Sequence, residues 1–187
     1  MTTPLSEGWR DQYERMLRSR ARLAEAAGPS NMGSAEARDR LYSFFQDAYH
    51  LKDWLIHDLG WYTMNRGKKV LTQAGRDLEN YITATRALAN CADLCNGVKH
   101  MVLNSPRIAG TPANLASQSV ALTLGPFESA WEFGSPERNL STPPADTTTA
   151  EYSWLVEFDG RHYPAVRLAD EVVAEWQKAL RAQGLMY

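Results

Sequence analysis

Asn96, Lys99 and His100 are the residues whose types and spacing best fit a chemical role. Asn96 and His100 stand four residues apart, so on a helix one lies above the other. Such a pair can hold a phosphate group or a water molecule, with the imidazole acting as acid or base near neutral pH. Lys99 adds a positive charge. The alternative is structural: Asn96 and His100 would hydrogen-bond the connection at residues 104–116, and Lys99 would extend into solvent.

The element that must position this cluster is a predicted third helix, capped by Asp77 and running to Leu103. Its predicted inward face is largely apolar for four turns, and the cluster lies on the continuation of that face. Local departures from a pattern are where functional or strained sites are expected. The predicted inward residues are Leu78, Tyr81, Ile82, Thr85, Leu88, Ala89 and Ala92.

A second helix is predicted from the cap Ser34 to Gly60, with an apolar face and a polar face. His50 and His57 are seven residues apart, about 10.5 Å along a helix, which is too far for one metal ion. Asp53 with His57, or Asp47 with His50, would give only two ligands. We therefore predict a solvated face and no metal site, with His50 and Asp53 as possible supports of the cluster. The predicted apolar face is Leu41, Phe44, Phe45, Ala48, Leu51, Leu55 and Leu59.

Two basic stretches could meet phosphate groups. The first lies in the first helix (Arg15, Arg18, Arg20, Arg22). The second lies in a predicted loop at residues 61–75 and just after it, with no acidic residue between its members (Arg66, Lys68, Lys69, Arg76). No aromatic residues alternate with these charges, as base stacking would require. Solvated surface charge is therefore the simpler interpretation, and a nucleic-acid contact is the alternative.

The remaining patterns predict an α+β fold, mainly α, in a single domain. A helical bundle covers residues 6–103, beginning with a helix from the cap Ser6 to Gly28-Pro29. An irregular connection with short strands follows at 104–150, including Val120 to Leu124 and Trp131 to Phe133. Residues 151–187 predict a strand, a turn at Asp159-Gly160, a returning strand from Tyr163 to Arg167, and a helix with inward residues from Leu168 to Leu180.

Composition restricts the class of protein. The 187 residues carry a net charge of −2, without an apolar run long enough for a membrane span or the order of a secretory signal. Cys91 and Cys95, one helical turn apart, fit a reducing compartment, so we expect a cytoplasmic protein. We interpret them as small buried residues rather than zinc ligands. No Gly-rich phosphate loop or dinucleotide fingerprint is present, and we expect no cofactor.

Two segments carry a family resemblance. Tyr49-His50-Leu51-Lys52-Asp53-Trp54 and Asn96-Gly97-Val98-Lys99-His100 resemble a pair of helix motifs, YHLKDW and NGxKH, found in a group of small bacterial proteins. That group is similar to the HEPN superfamily of helical bundles. Many HEPN proteins are ribonucleases of toxin–antitoxin and phage-defence systems, and their bundles dimerise to complete the site.

The resemblance implies roles for individual residues. HEPN ribonucleases share an Arg-Asn-x3-His arrangement, and here Asn96 matches the polar position and His100 the histidine. The arginine position is occupied by Cys95, which cannot bind a phosphate in the bidentate manner of a guanidinium. The resemblance thus implies either metal-independent RNA cleavage or a binding protein that has lost cleavage.

Three hypotheses follow. The first is RNA cleavage by His100 with Asn96 and Lys99. The second is non-catalytic binding of RNA or a nucleotide through the same cluster together with the basic residues of the predicted loop. The third is an interaction or scaffold protein, acting as a homodimer or with an antitoxin-like partner, in which Trp54 and Trp61 serve as anchors.

Overall fold

The computed structural model describes residues 7–99, 113–123 and 149–186. These residues form four helices interrupted by a hairpin, then three strands and a last helix. In order, these are α1 (Trp9–Ala27), α2 (Ser34–Asp58), β1 (Tyr62–Asn65), β2 (Lys68–Leu71), α3 (Gln73–Ala84), α4 (Arg86–Lys99), β3 (Asn114–Thr123), β4 (Thr149–Phe158), β5 (Arg161–Pro164) and α5 (Ala165–Ala182). The α+β fold, mainly α, is confirmed.

Helix α2 follows the predicted periodicity. Six of its predicted apolar residues are at most 2% exposed, and the seventh, Leu59, is half-buried against the core. The helix begins one residue earlier than expected, because Gly33 rather than Ser34 is the N-cap. Helix α1 packs along α2, and Gln12 donates a hydrogen bond to the backbone oxygen of Asp47. The apolar face of α2 is therefore the centre of the bundle.

The three-stranded sheet is antiparallel in the order β3-β4-β5. Strand β4 alternates as predicted, with alternate side chains buried in the core and the others toward solvent. Asp159 and Gly160 both have positive φ, as a type I′ turn requires, so this predicted hairpin is confirmed. The buried residues of β4 are Ala150, Tyr152, Trp154, Val156 and Phe158.

The sheet is attached to the bundle by the α1–α2 connection. Ser30 and Ala150 exchange two backbone hydrogen bonds, of 3.0 and 2.7 Å, and the Tyr152 hydroxyl donates to the backbone oxygen of Met32 at 2.7 Å. Helix α5 packs on both layers, with Trp176 1% exposed. Buried residues of all five helices and of β4 belong to one hydrophobic core.

Four predictions about secondary structure were wrong in detail. The third helix is two helices, because Thr85 has extended backbone (φ −91°, ψ 110°), and its first cap is Thr72 rather than Asp77. Residues 61–75 contain a β-hairpin and the start of α3 instead of a loop. The connection at 104–150 contains the ten-residue strand β3. The strand expected from Tyr163 to Arg167 ends at Pro164, because α5 begins at Ala165.

Some predictions lie outside the described residues. These include the cap Ser6 and the short strand from Trp131 to Phe133; α1 itself begins at Trp9 after Gly8 and, as predicted, ends before Gly28. Among the described helices, none has the length and apolar character needed to cross a bilayer.

Candidate functional site

The predicted cluster lies at the end of α4. Asn96 is half-buried, and Lys99 is the last residue of the helix; the Lys99 side chain and the whole of His100 lie outside the described residues. The sequence predicts a single inward face for this helix, and that prediction is wrong for residues 87–95. Residues 87–95 are all buried, and because nine residues cover every direction around a helix, α4 is enclosed on all sides over that length.

Two buried polar residues of α4 were missed by the sequence analysis. Asn90 is 2% exposed and Asp93 is 1% exposed, and since they stand three residues apart they share a face of the helix. The amide nitrogen of Asn90 has no hydrogen-bond partner in the described part of the chain. Polar residues therefore enter the core two turns before Asn96. The sequence signal for this pair was the presence of two polar side chains within an otherwise apolar stretch of helix.

Cys91 and Cys95 are each 1% exposed, which confirms their interpretation as small buried residues. Burial, and the neighbouring Cys95, raise the pKa of the Cys91 thiol well above its ordinary value. The thiol of Cys91 donates to the backbone oxygen of Phe45. Burial keeps the Cys95 side chain away from any solvent-borne phosphate.

The YHLKDW segment of α2 forms structural contacts. The Lys52 ammonium, with a side chain 11% exposed, bonds to Asp53 at 2.8 Å and to Glu79 of α3 at 3.0 Å, and it lies 5.0 Å from the centre of the Tyr49 ring. Burial would lower the pKa of Lys52, but these two carboxylates outweigh burial and raise it. The lysine thus joins α2 to α3.

The polar face of α2 does not form a metal centre in the described residues, where no group of three potential ligands is found. His50 is half-buried beside Tyr49, and Asp53 is exposed. No described contact joins either of them to Asn96. Trp54 and Trp61, the proposed anchors for a partner, are half-buried and pack against the chain's own core.

The basic hairpin, β1 and β2 (residues 62–71), carries the exposed cations Arg66, Lys68 and Lys69 at and beside its turn. Its two-residue turn is Arg66-Gly67, with φ of 49° and 76°, which again fits a type I′ turn. Asn65 pairs with Lys68, and Met64 pairs with Lys69. Residues 63–70 are all exposed, so the hairpin projects from the bundle.

One side of the basic hairpin carries aromatic rings. Tyr62 and Lys69 lie on the same face, and the Lys69 ammonium is 4.0 Å from the centre of the Tyr62 ring. The imidazole of His57, at the end of α2, stacks on Tyr62 with the ring centres 6.3 Å apart. No aromatic residue alternates with these charges along the sequence, because the contact between Tyr62 and Lys69 depends on the fold of the hairpin.

The base of the hairpin is held by α2 and α3. The Trp61 amide donates to the backbone oxygen of Ile56, and the Thr72 amide donates to that of Trp61. Arg76 donates to the backbone oxygen of Leu71 at 2.6 Å and to Gln73 at 3.0 Å. Arg76 therefore supports the hairpin and is less available to a ligand than the cations at the tip.

The electrostatics of the hairpin tip are simple. Arg66, Lys68 and Lys69 have no acidic side chain within salt-bridge distance among residues 7–99, 113–123 and 149–186. The other basic stretch, on α1, is partly neutralised, because Arg15 pairs with Glu7 and Arg20 pairs with Asp170. Three of the four basic residues predicted around residues 61–76 therefore lie at the tip of the hairpin. No described contact joins them to the Asn96 end of α4.

Comparisons with family models, with curated proteins and with solved structures give no match to this chain.

Proposed function

We propose that this protein binds RNA and that the phosphate backbone of the RNA lies along the basic hairpin. The observation that carries the proposal is the group of three exposed cations on a projecting hairpin, without acidic neighbours in the described residues. When exposed cations without acidic neighbours contact phosphates, they displace counterions that were bound to the nucleic acid. The release of these counterions favours binding to any polyanion. The overall charge of −2 does not oppose this, because the charge near the ligand dominates at physiological salt.

The hairpin favours contact with phosphates over stacking of bases. Tyr62 is half-buried with the Lys69 ammonium 4.0 Å from the centre of its ring, and the exposed residues 63–70 include no aromatic side chain on which a base could stack. Arg66, Lys68 and Lys69 are long, flexible side chains that suit a backbone without fixed sequence. We therefore expect binding with little sequence preference and strong dependence on salt.

The choice of RNA among polyanions rests on the resemblance of the YHLKDW and NGxKH segments to HEPN-like proteins. In that setting the protein would act in a bacterial toxin or phage-defence system, as a homodimer or with an antitoxin-like partner. Asn96, Lys99 and His100 would be the place of metal-independent cleavage. Cleavage is a separate part of the proposal, because Cys95 replaces the arginine of the HEPN pattern.

The binding proposal is tested by fluorescence anisotropy with a labelled single-stranded RNA over a range of salt concentrations. The variant Arg66→Ala/Lys68→Ala/Lys69→Ala should bind at least roughly tenfold more weakly, and its salt slope should fall by about 2, since each lost phosphate contact removes about 0.7. The matched control is Arg18→Ala/Arg22→Ala, which removes two exposed cations of α1. Equal affinity of the wild type and the triple variant would overturn the proposal.

Cleavage is tested on the same RNA without added metal, using the wild type and His100→Ala. Loss of cleavage in the variant, with binding retained, would support a catalytic His100. RNA that stays intact with both proteins would leave a binding protein and remove the enzymatic part of the proposal.

A further inference from the structure

His57 stands where the bundle meets the basic hairpin. It lies in the last turn of α2, with its side chain 51% exposed. The centre of its ring lies 6.3 Å from the centre of the Tyr62 ring, and the Lys69 ammonium lies 4.0 Å from that same centre. An imidazole and an ammonium group thus share one aromatic neighbour at the base of a surface that carries only positive charges from residue 59 to residue 76.

We infer that His57 is a proton-dependent part of this RNA-binding surface. The inference rests on the proposed function and deepens it: a phosphate that contacts Lys69 would also meet the protonated imidazole, so binding would take up one proton. Imidazole groups exchange their proton between about pH 5 and 8. Affinity for RNA should therefore increase as the pH falls through this range.

Charged groups from two neighbouring elements surround His57. An oxygen of Asp58 lies 3.5 Å from Nδ1 of His57 and attracts the imidazolium. The other oxygen of Asp58 accepts a hydrogen bond from the Trp9 amide. The carboxylate of Asp11 accepts one from the Gly8 amide. The carbonyl groups at the end of α2 also attract a cation.

On the hairpin side, the Lys69 ammonium repels an imidazolium at His57. A phosphate group placed between the imidazole and the ammonium would remove this repulsion. The ligand would thereby favour the protonated state of His57, which is the linkage that the pH dependence measures.

The test measures binding of oligouridylate, whose bases neither gain nor lose a proton in this range, at about pH 7.5 and about pH 5.5 and at constant ionic strength. Wild-type affinity should increase roughly two- to fivefold at the lower pH, as expected for one added exposed charge pair. His57→Gln should keep the wild-type affinity at pH 7.5 and lose the increase. His57→Lys should bind equally well at both pH values.

The matched controls are His50→Gln and His162→Gln, which remove a half-buried and an exposed imidazole elsewhere in the described chain and should keep the wild-type pH dependence. An increase that persists in His57→Gln, or one that disappears in His162→Gln, would overturn the inference. RNA binding that depends on the hairpin but not on pH would overturn this inference alone. Absence of RNA binding at both pH values would overturn the proposed function together with it.

Discussion

The two basic stretches of this protein are similar in sequence and different in the structure. In α1, Arg15 and Arg20 form ion pairs with Glu7 and Asp170, so part of the positive charge is neutralised within the fold. In the basic hairpin, Arg66, Lys68 and Lys69 are exposed, and no acidic partner is found for them in the described ranges. In both places, four basic residues close together predict a charged surface. Only in the hairpin is that charge available to a ligand.

The difference follows from the neighbours of each element. Helix α1 lies against α2, α5 and β4, and each neighbour can offer a carboxylate to a nearby arginine. The hairpin has two strands of four residues each, and its contacts lie at the base, where it meets α2 and α3. A projecting element keeps its charges for a ligand because little of the protein can reach them.

The largest effect is expected where the hairpin docks on α3. A Cβ atom on Gly75 would lie 2.6 Å from the backbone oxygen of Trp61 and 3.2 Å from Leu71. We expect Gly75→Ala to lower the free energy of unfolding by about 2 kcal/mol, since an overlap costing about 3 kcal/mol is offset by about 1 kcal/mol of helix propensity.

Urea unfolding measures this change, and RNA affinity should fall with it because the hairpin loses its support. Gly33→Ala is the steric control, since no atom lies within 4 Å of the added group; its loss should stay below about 1 kcal/mol, the cost of alanine at the N-cap of α2. Equal stability of the Gly75 variant and the wild type would show that the hairpin does not dock as described.

Lys52 provides a cation that is largely shielded from solvent and paired, in contrast to those in the hairpin. We expect Lys52→Met to lower the free energy of unfolding by about 1–2 kcal/mol at neutral pH, because Glu79 and Asp53 lose their partner, and to leave RNA affinity unchanged. Loss of RNA binding without loss of stability would contradict the structural role.

The same lysine predicts a pH dependence of stability. Its pKa is raised in the folded protein, so its contribution is fully present below the unfolded value of 10.5 and is lost as the pH rises through the folded value. Wild-type stability should therefore decrease above about pH 10.5 more steeply than that of Lys52→Met. Lys178→Met, at an exposed ion pair, is the control and should follow the wild type.

A smaller effect is expected at the hairpin turn. Gly67 has a φ of 76°, and a side chain in this region costs about 1 kcal/mol. Gly67→Ala should therefore open the hairpin locally and weaken RNA binding while the three cations remain, whereas Gly67→Asn should be milder. Hydrogen exchange of the hairpin amides, compared with global unfolding, measures the effect; unchanged exchange would contradict it.

The smallest effect is expected on α1. Asp170→Asn frees Arg20 from its ion pair, which at this exposure is worth less than about 1 kcal/mol. RNA affinity should increase less than about twofold, as measured by anisotropy. An increase as large as the loss caused by neutralising the hairpin would show that any free arginine serves, and the contrast between the two regions would disappear.

Much of the fold could be predicted from the sequence where the signal is local. The apolar period of α2 and the alternation of β4 each place side chains on one buried face. Asp159-Gly160 identifies a turn because both positions have positive φ. Arg66-Gly67 carries a similar signal, but the flanking strands are exposed on both faces and show no apolar alternation, so the first hairpin was predicted as a loop.

The break between α3 and α4 could not be predicted in this way. Thr85 is neither glycine nor proline, yet its backbone is extended and the helix ends there. After the break, Arg86 pairs with Asp159 in the turn of β4 and β5, and its guanidinium lies 4.8 Å from the centre of the Phe158 ring. Contacts between residues so distant in sequence are absent from any local pattern.

The sequence determines the Asn96–Lys99–His100 cluster as a set of residue types near the end of a helix. The role of this cluster stays a prediction. The burial of α4 on every side, with Asn90 and Asp93 inside the core, was decided by the tertiary structure. The availability of the hairpin cations was decided there as well. Residue type sets what a side chain can do, but burial and charge pairing depend on neighbours that only the folded chain supplies.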